Sequence, residues 1–249
     1  MTGVNISQYT GGLAKLLEYL CSGTSRIRIR LSSIEPELYD SAFIRAVSHE
    51  RIRPHFHFSL QSGSEKVLSR MKRLYTPKEA EKGIKLLKEA KGDPFLGCDI
   101  ITGFPGESRE EFEKTYDFCK KIGFAGIHVF PFSRRPGTEA WDFKDRVTEK
   151  EAGLRAEALS YLAHNNREAY IKRWTGKTIE ALVEEEEGPR PDYVPALSAN
   201  YIKLRVLFKN RPRPKAGTLL LCRIIKDTAI PGGFEQKNRE CFDVMAEIL

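Results

Sequence analysis

The chain of 249 residues lacks any apolar run near the roughly 18 residues that a membrane span needs, and its first residues show no basic stretch followed by an apolar core. A soluble, cytoplasmic protein with no membrane partner is therefore expected. Cysteine is sparse: Cys21, Cys98, Cys119, Cys222 and Cys241 lie far apart and form no CxxC or CxxxCxxC cluster. An odd, scattered set argues against a disulfide framework, so each is expected to be a small buried hydrophobe. GxxxxGK is also absent, which excludes a phosphate-binding P-loop. Gly and Pro are not in excess, and 41% of residues are hydrophobic, enough for a real core in one large domain and a small one. The net charge of +7 suits a polyanionic partner without requiring one.

What is present is a rhythm. Apolar runs at 27–31, 55–60, 95–101 and 127–132 recur with helical patterns between them, as in repeated strand-helix units feeding a parallel sheet. Thr76, Pro77 and Glu79 give an N-cap, a first-turn proline and a capping-box glutamate before Ile84, Leu86 and Leu87, with Gly92 as the stop. Ser108 and Glu111 repeat the capping box, and Gly123 ends that helix. Leu13, Leu16, Leu17 and Leu20 keep helical spacing, and Thr148 with Glu151 opens a long helix to about Arg173. Each strand is followed by a polar segment: SSIEP, QSGS, TGFPGES and SRRPGT. In parallel α/β proteins such segments sit at the carboxyl ends of strands, where ligand sites are built.

From Thr175 the period changes. Segments 178–184, 201–208 and 218–225 read as strands with no helix between them, which predicts a small all-β module. The acidic run at 184–187 reads as a solvated loop. Residues 201–215 carry Lys203, Arg205, Lys209, Arg211, Arg213 and Lys215 with no acidic residue, the densest positive patch in the chain.

Taken together, SIEPE at 33–37, HFHFSLQSGS at 55–64, LSRMKRLYT at 68–76, CDIITGFPGES at 98–108 and IHVFPFSRRPGT at 127–138 resemble the radical S-adenosylmethionine (SAM) methylthiotransferases. The opening TGVNISQY and the strand HVFPFS are most similar to the branch acting on threonylcarbamoyladenosine in tRNA. The branches acting on isopentenyladenosine tRNA or a ribosomal protein, and a non-catalytic RNA-binding fragment, stay open as alternatives. The resemblance implies an α/β fold: a partial parallel (β/α) barrel at 1–173, an RNA-binding β-barrel of TRAM type at 174–230, and a tail at 231–249.

In that family six strand-helix units form the partial barrel, and the first carries CxxxCxxC for a four-iron four-sulfur cluster. This sequence begins inside what would be the second strand. The expectation is that the cluster ligands, and the amino-terminal domain with its auxiliary cluster, lie outside it, that a separately encoded amino-terminal portion is a partner to look for, and that this chain alone is inactive. The chemistry implied for the intact enzyme is C2 methylthiolation of the modified adenosine beside the anticodon. A 5′-deoxyadenosyl radical removes the hydrogen, sulfur comes through the auxiliary cluster, and the methyl comes from a second SAM. The target lies in a single-stranded loop, where a base is splayed out at modest cost.

Carried onto this sequence, the resemblance assigns SAM contacts. Glu35 would accept from the ribose or amino group. Gln61 would face the ribose, and Arg73 the methionine carboxylate, which its planar fork suits; Arg70 is the competing arginine. Asp99 interrupts an apolar strand, where a carboxylate is costly unless paired, and matches a position near the ribose. Gly103, Pro105 and Gly106 would let the backbone approach the adenine. His55 and His57 have the alternate spacing of a two-histidine metal site, but no third ligand is visible, so they are expected to support the cavity. Arg26, Arg28 and Arg30 are expected in solvent or in ion pairs. For RNA, Lys203, Arg205, Lys209 and Arg211 would meet phosphates, with Tyr201 and Phe208 either stacking on bases or filling the core. Arg134 and Arg135 are placed either on the RNA backbone or in solvent.

Overall fold

The computed structural model describes residue 6 and residues 9–36, 40–185, 191–209, 211–225 and 244–249. Most of the opening motif, Glu37, Glu186, Glu187 and Cys241 lie outside the described residues. The chain divides into two compact units, residues 1–167 and 168–249, so the division falls within the long helix rather than at its end.

The first unit is built on a four-stranded parallel sheet: β1 (Ser33–Ile34), β2 (His55–Gln61), β3 (Phe95–Thr102) and β4 (Gly126–Pro131), adjacent in that order. Strands that add on one side in chain order, without reversal, make a sector of a barrel rather than a doubly wound sheet. Helices α1 (Leu13–Gly23), α2 (Ser41–Ser48), α3 (Glu65–Arg70), α4 (Pro77–Lys91), α5 (Arg109–Ile122) and α6 (Glu149–Trp174) complete the unit, the last running on into the second. Alternate strand residues, Ile34, Phe56, Phe58, Leu96, Cys98, Ile100 and Ile127, join one apolar core with Leu17, Val47, Ile84, Leu87 and Phe118 from the helices. The other alternation leaves Ser33, His57, Asp99 and His128 on the opposite face.

The expected strand at 27–31 is reduced to a single bridge, Ile29 to Ile52, and the paired residues come later, at Ser33 and Ile34. Ile29 exchanges backbone hydrogen bonds there: its amide donates to the Arg51 carbonyl and its carbonyl accepts from the Arg53 amide, each at 2.8 Å.

The helix signals act as the sequence implies, with one exception. At α4 the capping box is complete: Thr76 Oγ1 accepts from the Glu79 amide at 3.2 Å, and the Glu79 carboxylate accepts from the Thr76 amide at 2.8 Å. The Thr76 amide, and after it the Thr76 hydroxyl, which donates to the same carboxylate at 2.9 Å, hold the Glu79 carboxyl below its ordinary range. Thr76→Ala is expected to cost about 1 kcal/mol in urea unfolding, with Thr76→Ser close to neutral. At α5 only half of the box forms: Ser108 accepts from the Glu111 amide at 3.3 Å, while the Glu111 side chain turns away to Ser64 Oγ and to Lys114. A buried hydroxyl and an ammonium outcompete the local amide.

The second unit contains a closed barrel, ordered β5 (Thr178–Val183), β6 (Tyr193–Ser198), β7 (Lys203–Leu207), β9 (Val244–Ile248) and β8 (Leu219–Ile224). Ile179, Ala181, Val194, Ala196, Leu204, Val206, Cys222, Ile224 and Ala246 fill it. Two of its strands differ from expectation. Tyr193–Ser198 reads weakly because Pro195 interrupts it, and Val244–Ile248 falls in the expected tail. The latter pairs parallel with β7 and antiparallel with β8, closing a barrel that would otherwise leave two open edges.

Candidate functional site: one face of the parallel sheet

Register places the polar residues of the sheet's second face. Ile34 pairs with Phe58, Phe58 with Cys98, and Asp99 with His128. Ser33, His57, Gly97 and Gly126 share one register row across the four strands, and Asp99 and His128 pair two residues further along β3 and β4.

Just beyond β1, Arg73 Nη1 donates to Glu35 Oε1 at 3.1 Å, with 29% and 21% of the two side chains exposed. The structure separates the two competing arginines. Arg70 is held 2.8 Å from Asp145 and lies over the Phe143 ring, whereas Arg73 reaches the carboxyl end of β1.

Gln61 ends β2 with a left-handed backbone, φ 62°, and is buried. The reason is a bulge: between Phe58 and Gln61 the strand advances three residues while β3 advances two. Two carbonyls in the bulge, Ser59 and Leu60, accept from Tyr75 Oη at 2.8 and 2.9 Å, which ties the Arg73 loop to the strand end. A non-glycine residue held in this region carries strain that its surroundings must maintain, and such residues cluster at binding sites.

The rest of QSGS is explained by packing. A Cβ on Gly63 would fall 2.7 Å from Phe118 Cβ and 2.8 Å from Thr115 Cα, so α5 sits directly on this glycine. Ser62 bonds to Thr115 Oγ1 at 3.0 Å and Ser64 to Glu111.

On the same face of the sheet, Asp99 Oδ1 lies 2.9 Å from His57 Nε2 and 3.3 Å from His128 Nδ1. Burial raises the Asp99 carboxyl, but hydrogen bonding and charge from His57, then from His128, outweigh it and hold it below its ordinary range. Asp99 is therefore the paired carboxylate its apolar setting demands. His55 does not join this group. It is buried against Phe95, ring centroids 5.3 Å apart, and burial pulls its imidazole down to about 3, so it stays neutral at physiological pH. His128 had no place in the sequence reading; its signal, a histidine within IHVF at the same alternation as Asp99 one strand away, needs the register to be read.

The Gly103–Pro105–Gly106 loop is held from within. Gly103 (φ 75°) donates to Glu107 Oε2 at 2.7 Å, Gly106 (φ 85°) donates to the Asp145 carbonyl at 2.8 Å, and a Cβ on Gly103 would fall 2.5 Å from Ala152 Cβ. Helix packing thus accounts for Gly103, while Glu107 is buried in an ion pair with Arg155 at 2.7 Å.

Of the RNA candidates, Arg134 is occupied within its own loop, over the Trp141 ring at 4.1 Å and bonded to the Trp141 carbonyl; Arg135 is exposed. In the barrel, Lys203 and Arg205 point outward from β7 as Leu204 and Val206 point in. Arg205 stacks over Tyr193 at 5.4 Å and Arg213 over Phe208 at 5.6 Å, and Arg211 donates to the Leu249 carbonyl at 2.9 Å. Lys209 is exposed. Tyr201 is not a core residue: it occupies the β6–β7 turn at φ 67°, with 37% exposed.

Among the described residues no helix is long and apolar enough to cross a membrane. The four described cysteines are buried and free, and among the described residues no three cysteines lie together as ligands.

Comparison with known proteins agrees with this layout. Residues 1–119 match the profile of the Radical SAM superfamily. The threonylcarbamoyladenosine tRNA methylthiotransferase of Treponema pallidum is 44% identical over 92% of this chain and 47% of its own length. That of Aquifex aeolicus is 36% identical over 82% of the chain and 50% of its own length. The tRNA-2-methylthio-N(6)-dimethylallyladenosine synthase of Anaplasma marginale is 34% identical over 76% and 44%. The chain spans about half the length of these relatives. Residues 1–119 carry a radical SAM domain, and the chain is a homologue of the tRNA methylthiotransferases.

Proposed function

We propose that this chain is the portion of a cytoplasmic tRNA methylthiotransferase that supplies part of the SAM pocket and an RNA-binding barrel of TRAM type. The reaction is C2 methylthiolation of N6-threonylcarbamoyladenosine beside the anticodon. The observation that carries this reading is the polar face of the sheet, where Arg73 meets Glu35 just beyond β1 and Asp99 meets His57 and His128, in a chain related to such enzymes. The chemistry that bound SAM supplies is its methyl and deoxyadenosyl groups. The residues here bind and orient: Arg73 donates to the methionine carboxylate, Glu35 accepts from the amino or ribose group it is then free to meet, and Gln61 and Asp99 face the ribose diol. Gly103, Pro105 and Gly106 approach the adenine. Among the described residues no set of cysteines suits the four-iron cluster, so no radical step is assigned to these residues. Mass spectrometry of tRNA nucleosides from a strain lacking the gene tests the reading. Loss of the methylthio mark with retention of threonylcarbamoyladenosine is expected; an unchanged profile rejects it.

The anticodon loop of tRNA is the proposed partner of Lys203, Arg205, Lys209 and Arg211, with Arg135 a further contact and Arg134 contributing only if it leaves Trp141. Neutralising Lys203, Arg205 and Lys209 together is expected to weaken tRNA binding about tenfold or more. It should also lower the slope of log affinity against log salt by about 2, since each phosphate contact to a single strand contributes about 0.7. An unchanged slope in fluorescence anisotropy would move the RNA path elsewhere.

A further inference from the structure

We propose that His57, Asp99 and His128 form a binding site for a divalent first-row transition ion of the zinc or iron(II) class. Each comes from a different strand of the parallel sheet, and their ligand atoms, His57 Nε2, Asp99 Oδ1 and His128 Nδ1, all lie within 4.8 Å of one another. Around an ion bonded at about 2.0–2.2 Å, ligand atoms stand roughly 3–3.5 Å apart. The two contacts of 2.9 and 3.3 Å already have that spacing, and only the pair of histidine nitrogens needs to close in.

Two histidines and one carboxylate are a ligand set for borderline ions, and three protein ligands leave coordination positions open. Here the open side is defined: 65% of the His128 side chain is exposed, whereas His57 and Asp99 are 14% and 23% exposed. The ion would therefore face whatever occupies the second face of the sheet and would take an oxygen or nitrogen ligand from it. Gly97 supports the geometry. It pairs with His57 across the sheet, and a Cβ there would fall 2.7 Å from His57 Nδ1, so the imidazole's position depends on the missing side chain. The site shares Asp99 with the proposed SAM pocket, and binding of the ion alone tests it separately from the cofactor and RNA readings.

The metal-stripped 249-residue chain is titrated with Co(II), followed by visible absorption, with Zn(II) as competitor. One equivalent should saturate at about micromolar metal, with a ligand-field band that Zn(II) abolishes. His128→Ala alters an exposed side chain and is expected to weaken binding at least about tenfold with an unchanged circular dichroism spectrum. Gly97→Ala, which removes no ligand, is expected to weaken binding within the 10–100-fold range of altered ligand support. Absence of saturable Co(II) binding overturns the proposal and leaves a hydrogen-bonded trio. So does equal affinity in His128→Ala and Asp99→Asn, or a thiolate charge-transfer band.

Discussion

Replacing Arg155 by methionine is expected to cost about 3–5 kcal/mol of stability near neutral pH, the scale of a buried charge left without its partner. Arg155 Nη1 donates to Glu107 Oε2 at 2.7 Å and to the Glu107 carbonyl at 2.8 Å, and its Nε donates to Glu151 at 3.0 Å. Glu107 Oε2 also accepts from the Gly103 amide, so one carboxylate fixes both the glycine loop and the start of α6. Methionine keeps the length and apolar contacts of the side chain and removes only the charge and donors.

The pH dependence has a definite sign. Burial raises the Glu107 carboxyl above its ordinary 4.5, while the Gly103 amide and Arg155 pull it back. Without Arg155 the folded value rises further. A raised carboxyl contributes stability that is fully present below the unfolded value, near 4.5, and is lost as pH climbs through the folded value. The deficit of Arg155→Met should therefore shrink as pH is lowered towards the unfolded value and be complete at neutral pH. Adding Glu107→Gln should recover much of it, since a neutral amide oxygen still accepts from Gly103. A loss below about 1 kcal/mol in urea unfolding, or one that deepens in acid, would contradict this account of the loop.

Arg73→Ala is expected to weaken SAM binding by about 1.5–3 kcal/mol, or about 10- to 150-fold, when the chain is joined to the remaining half its relatives carry. The alanine removes the cation offered to the methionine carboxylate and leaves Glu35 without the partner it has at 3.1 Å. Arg73→Lys should fall between, keeping a charge but not the two-pronged geometry. Arg70→Ala serves as the comparison, because that guanidinium is engaged by Asp145 and Phe143. Equal affinity in the parent and Arg73→Ala would remove Arg73 from the pocket.

Much of this was legible in local sequence, and what was not has a physical reason. Thr76, Pro77, Glu79 and Gly92 bound α4 because caps and turns act over three or four residues. Asp99 declared itself by interrupting an apolar strand. Its histidine partners did not, because His57 lies 42 positions before it and His128 in the next strand, and only register brings them together. Likewise Glu111 satisfies a local capping pattern but bonds Ser64, a preference set by the packing of α5 on Gly63. The closing strand Val244–Ile248 was missed for the same reason: its role depends on two edges formed far earlier in the chain.

In the proposed function, one face of the parallel sheet receives the nucleoside. The most direct measurement is an amide NMR titration of the chain with S-adenosylhomocysteine, which presents the adenosine and amino-acid groups without reactivity. Shifts are expected to concentrate at Glu35, Gln61, Arg73, Asp99 and the Gly103–Gly106 loop, and to be lost from that set in Arg73→Ala. Shifts confined to the barrel, or no saturable shift at these positions, would contradict it.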